Sequence, residues 1–125
     1  ILVSAIVFRS KHMYEIIRLL SEKHSLVLCS DVVNELHEVI NDKFPSHAGD
    51  VSKFLLELPF ELVYTPQELP KHELFKIRDE DDEKVLYSAI IADVDILVTG
   101  DKDFYGVEIE RPEILSPMVF LEKHS

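Results

Sequence analysis

Asp95-Ile96-Leu97-Val98-Thr99-Gly100-Asp101 joins a run of β-favouring apolar residues to an abrupt stop at Thr, Gly and Asp, as a buried parallel strand ends. Just before it, Val85, Leu86, Ala89, Ile90, Ile91 and Ala92 cover nearly every side of a helix, which predicts burial on more than one face. Working outward, Glu113 to Leu115 reads as a short strand, and Ser116 as N-cap with Pro117 at N1 opens a closing helix. Towards the N-terminus, Phe60 to Tyr64 and Leu26 to Cys29 read as strands, and residues 65 to 76 as a polar loop holding Pro66 and Pro70. Ser10 caps a helix over 11–23 on the spacing of Met13, Ile16, Ile17 and Leu20. Ser30 caps a second helix that ends near Asn41, with a stripe of Val32, Val33, Leu36, Val39 and Ile40, and a third runs from about Ala48 to Leu58. Strands alternating with helices predict an α/β domain with a mostly parallel sheet and helices on both faces.

The 125 residues make one domain's worth of chain, 1–125, without internal repeats or low-complexity tracts. With 46% hydrophobic residues, the chain can fill a core that hides roughly two-thirds of the unfolded surface. No apolar run approaches a membrane span and no secretory leader is evident, so a cytoplasmic protein without a membrane partner is expected. Cys29 is the only cysteine, which excludes an intrachain disulfide and predicts a buried reduced thiol. The 24 acids against 13 bases give a net charge of −11. That argues against gripping nucleic acid by a broad basic face, while leaving room for a site where carboxylates hold divalent cations.

Ligands of open α/β sheets collect at the carboxyl ends of the strands, and three groups of acids fall there. Asp101 and Asp103 follow the strand ending at Val98, with Gly100 expected to give the backbone its freedom to turn. Taken alone, an Asp in this place is more often a turn or cap residue. Glu35 lies in the second turn of the helix after Cys29, about 40° from Val39 and about 100° from Leu36, on the edge of the buried stripe. Asp79-Glu80-Asp81-Asp82-Glu83 opens the buried helix. Capping and the helix dipole account for most of that cluster, with Asp79 and Asp81 read as cap or solvent residues. Asp82 and Glu83 both share faces with apolar residues, and periodicity does not choose between them. Three such positions converging would form an oxygen-rich site suited to Mg²⁺ or Mn²⁺ and to phosphodiester hydrolysis. The six histidines show no i, i+4 pair, no Ser or Cys nucleophile stands beside a His base, and there is no Walker A loop or dinucleotide fingerprint.

Five stretches together resemble a PIN domain: Ile1-Leu2-Val3-Ser4-Ala5, Glu35-Leu36-His37-Glu38-Val39-Ile40, Arg78-Asp79-Glu80-Asp81-Asp82-Glu83-Lys84, Leu97-Val98-Thr99-Gly100-Asp101-Lys102-Asp103-Phe104, and Ile114-Leu115-Ser116-Pro117 with Phe120-Leu121-Glu122. The resemblance spans the chain and is closest to the toxins of toxin–antitoxin pairs, akin to VapC toxins. It implies a three-layer α/β/α sandwich and a Mg²⁺- or Mn²⁺-dependent endoribonuclease using about four acidic positions. Glu35 takes the second position; Asp101 takes the fourth, with Asp103 beside it. The third falls on Glu83 or Asp82, and the spacing to Thr99 favours Glu83. The set implied is Glu35, Glu83 and Asp101 as catalytic residues, with Asp82 and Asp103 as further metal ligands and Ser4 and Thr99 near the substrate. In the family an Asp-Thr-Asn precedes the Ile-Leu-Val-Ser-Ala stretch and carries the first acid at the end of the first strand. That strand and that Asp are absent from this sequence, and Ile1 to Phe8 reads either as the start of a helical segment or as a strand. A truncated record is therefore expected, and a chain truly starting at Ile1 would have weak or absent catalysis. The partners implied are an RNA substrate, an antitoxin protein and a second copy of the chain, in a homodimer or higher homo-oligomer. The alternative is a catalytically inactive PIN-like module for binding or assembly.

Overall fold

The computed structural model describes residues 11–124, the side chain of His12 excepted. Ser4, Ser10 and the Ile1 to Phe8 stretch, with the roles expected of them, lie outside those residues. Helix α1 (Lys11–Lys23) leads to strand β1 (Val27–Cys29), then α2 (Ser30–Lys43), a 3₁₀ turn (Pro45–His47) and α3 (Ala48–Glu57). Strand β2 (Glu61–Val63), α4 (Glu80–Ile91), β3 (Ile96–Val98), a 3₁₀ turn (Lys102–Phe104), β4 (Glu113–Leu115) and α5 (Pro117–His124) complete the order. The protein is an α/β fold. All strand pairing among the described residues is parallel, in two separate ladders: Leu28 opposite Leu62 centres β1–β2, and Leu97 opposite Ile114 centres β3–β4. Helix α4 packs against β1, and its Leu86 cluster takes in Leu97 of β3 and Ile114 of β4, so that it touches both ladders.

Three apolar clusters hold these pieces. Ile16 of α1, Leu115 of β4 and Phe120 of α5 form one, Leu36, Ile40 and Val51 join α2 to α3, and Phe75, Leu86 and Phe104 form the third. The third matters most for the acids, because Leu86 is on α4 and Phe104 closes the turn after β3. Leu86 and Ser88 are both buried although two positions apart places them on nearly opposite sides of α4. Ser88 tolerates this because its Oγ donates to the Lys84 carbonyl. Burial does not extend all round, however, since Ile91 is 64% exposed.

Two local expectations need correction. Ser30 does not cap α2; it is the first helical residue, and Cys29 in the N-cap position has no side-chain cap bond. The acceptor instead comes from beyond β2: the Asp31 amide donates to Thr65 Oγ1 (3.1 Å), while the Thr65 amide donates to Ser30 Oγ (2.9 Å). Gly100 has no positive φ, and a Cβ there would meet nothing within 4 Å. The bend after β3 is therefore made by side-chain hydrogen bonds rather than by glycine's extra freedom. Helix α4 ends with Asp93 at φ 57°, its amide on Ile90 O and that of Val94 on Ala89 O, the double bond pattern of a Schellman ending. Arg111 closes over that turn, donating to the Asp93 and Val94 carbonyls and pairing with Asp95 at 2.6 Å.

Candidate metal centre

Asp79 occupies the N-cap of α4 in extended backbone, and its Oδ1 accepts from the amides of Asp81 (2.8 Å) and Asp82 (3.1 Å). This bond set fixes the first turn and with it the place of Asp82. Across from it, β3 ends at Val98 and the chain bends through Thr99. The Asp101 amide donates to Thr99 Oγ1 (3.1 Å), the Asp103 amide donates to Asp101 Oδ1 (2.9 Å), and Tyr105 Oη donates to the Thr99 carbonyl (2.6 Å). Phe104, buried against Leu86 and Phe75, anchors this turn in the core. A helix preceding a strand returns to that strand's start, so the N-terminus of α4 and the C-terminus of β3 lie at the same edge.

That edge brings carboxylate oxygens of Asp82, Asp101 and Asp103 within 4.8 Å of one another. Asp82 is half-buried and the other two are exposed. Burial, then the charges of Asp101, Asp79, Asp103 and Asp81, pushes the Asp82 carboxyl up from 3.8 to about 6. The helix N-terminus favours the anion, so burial and converging negative charge outweigh the dipole here. Among the described residues the cation paired with this group is Arg78, whose Nη2 is 3.5 Å from Asp103 Oδ2.

The remaining sequence candidates stand apart. Glu83 Oε1 lies 3.2 Å from Nε2 of His72, whose side chain is only 8% exposed and whose ring faces Phe75 and Tyr87. The two residues share the wall of an open cleft of about 590 Å³ with Leu69, Pro70, Lys71 and Glu73. Glu35 is exposed on α2, and its carboxylate does not join the Asp82 group. Thr99 sits at the site, with its hydroxyl oxygen engaged by the Asp101 amide. Sequence reasoning did not single out Arg78, His72, Thr65 or Tyr105. Each acts across a gap of 6 to 35 residues, which periodicity cannot register, and only the basic Arg78 beside five acids carried a local signal.

An oxygen-only trio of carboxylates, met by a single guanidinium, fits a hard divalent ion by its donor chemistry. No curated protein and no solved structure matched the chain. A family model described as PIN domain matches residues 1–103. The match takes in α4 and β3 and ends on Asp103, the third member of the acidic trio, so that the edge described above falls inside it. With most of its length matched, the chain belongs to the PIN domain family, whose members are generally nucleases that use a divalent metal.

Proposed function

We propose that this protein is a metal-dependent endoribonuclease, the toxin of a toxin–antitoxin pair, working at the edge where α4 begins and β3 ends. The convergence of Asp82, Asp101 and Asp103 in a chain of this family carries the reading. Those three side chains would hold Mg²⁺ or Mn²⁺. An ion bound there would supply positive charge to the scissile phosphate and lower the pKa of an attacking water.

The chain's own contribution is orientation. Thr99 and the Asp79 cap hold Asp101 and Asp82 by their backbones, so the carboxylates need little reorganisation to bind a cation. Asp82 takes the role of third acid in this reading, because Glu83 is turned to His72. Glu35, the second acid that the resemblance implies, stands exposed on α2 outside the trio and is given no step in this reading. The two ladders belong to one sheet of a three-layer α/β/α sandwich, and the working form is a cytoplasmic homo-oligomer. With a net charge of −11, RNA is repelled until cations bind, and an antitoxin would offer Arg or Lys to the same cleft.

Calorimetry with Mn²⁺, followed by cleavage of single-stranded RNA, tests the reading. Wild type is expected to bind the ion and cut. Asp101→Asn and Asp82→Asn should lose binding at least tenfold, while Glu83→Gln and Glu35→Gln should keep it. The rival, a silent binding module, draws on Glu35 and Glu83 standing apart from the trio. Wild-type protein that binds Mn²⁺ and cuts no RNA would favour it.

A further inference from the structure

Arg78 precedes the Asp79 cap, so its backbone is fixed at the mouth of the acidic trio. Its side chain is 87% exposed and meets Asp103 through one long contact, Nη2 to Oδ2 at 3.5 Å. A guanidinium has five N–H donors in a planar fork, and this contact uses one of them at the far limit of hydrogen-bond distance. Such an exposed pair contributes little to stability. The group is thus a weakly held cation beside carboxylates in a protein of net charge −11. Two demands meet at Asp103: the guanidinium and a divalent ion both seek its carboxylate. Once the carboxylate charge is taken up by an ion, the guanidinium loses its partner and is repelled by the like charge. A phosphate held at the trio would offer oxygens that match its planar fork.

We infer that Arg78 exchanges partners, from Asp103 in the free protein to a non-bridging oxygen of the substrate phosphate in the complex. This rests on the metal-site reading above and deepens it by naming the group that greets the phosphate. Lys102, also exposed at this edge, makes no ion pair with the trio among the described residues.

The test combines Mn²⁺ calorimetry with fluorescence anisotropy of a single-stranded RNA oligonucleotide in Ca²⁺, over a salt series. Wild type, Arg78→Ala, Arg78→Lys and Lys53→Ala are compared, the last removing an equal charge from exposed α3. Arg78→Ala is expected to weaken RNA binding about tenfold. The slope of log affinity against log salt should fall by about 0.7, one phosphate contact on a single strand. Its Mn²⁺ affinity should be unchanged or up to about threefold tighter, because a competitor is gone. Arg78→Lys should restore the salt slope and only part of the affinity, since a point charge replaces the fork. Equal RNA binding by Arg78→Ala and Lys53→Ala overturns the inference. So does Mn²⁺ affinity that falls along with RNA affinity, which would make Arg78 a prop for the acids. Wild type that takes up no Mn²⁺ overturns the metal-site reading and this inference with it; Mn²⁺ uptake with unaltered RNA binding in Arg78→Ala overturns this inference alone.

Discussion

Asp82 holds its place in the acidic trio at a cost in local stability. Its carboxyl sits at about 6 in the fold against 3.8 for the free side chain, so the native state holds the proton more tightly. The sign follows from linkage: stability from this group is complete below about pH 4 and is lost as pH rises towards about 6, after which the loss is constant. Asn at this position cannot lose a proton. Metal-free Asp82→Asn should therefore gain on wild type between pH 4 and 6, by about 1 kcal/mol once solvent screening of a part-exposed group is allowed for. Urea unfolding of both proteins in EDTA at pH 4, 5, 6 and 7 checks this; a gap that stays flat with pH would contradict it.

At the scale of elements, the two ladders are fastened by side chains from outside the strands. Thr65, buried just past β2, receives the Asp31 amide and meets Ser30, so the end of one strand caps the helix that follows its neighbour. Thr65→Val keeps the shape and removes the acceptor. It should cost about 1–2 kcal/mol, the range of a lost helix cap, read as a lower urea midpoint with an unchanged slope. A cost below about 0.3 kcal/mol would show that water replaces the hydroxyl. The same logic explains the bend after β3, where Thr99 and Asp101 side chains impose the turn and Gly100 is not required for it. Glu83 instead lies 3.2 Å from the buried His72 ring, which faces Phe75 and Tyr87, and stands away from the trio.

For the whole molecule, a cation at the trio should tie α4 to the turn after β3 and stabilise the fold by mass action. Mn²⁺ at about 100-fold over its Kd is worth about 2.7 kcal/mol, a rise in Tm on the order of 10 °C for a chain of this size. Scanning calorimetry of wild type and Asp101→Asn, with and without Mn²⁺, should show the rise in the first and not in the second. An equal rise in both would mean that the ion acts through the general acidity of the surface and its net charge of −11.

The sequence by itself determined the α/β alternation, the helix over Lys11–Lys23, the strand at Glu113–Leu115 and the Ser116 cap, whose Oγ accepts from the Val119 amide. It also marked the acids at the start of α4 and the end of β3 as the ones to weigh. Those features depend on near neighbours: a 3.6-residue stripe, an apolar run, a cap beside its helix. What only the tertiary structure decided were contacts between distant residues. Asp82 met Asp101 and Asp103 while Glu83 met His72, an alternative that helical spacing left open because both positions share apolar faces. Thr65, rather than Ser30, supplies the side-chain acceptor at the start of α2 for the same reason. Local pattern fixes which way the backbone runs; which oxygen answers which charge depends on packing across the sheet edge.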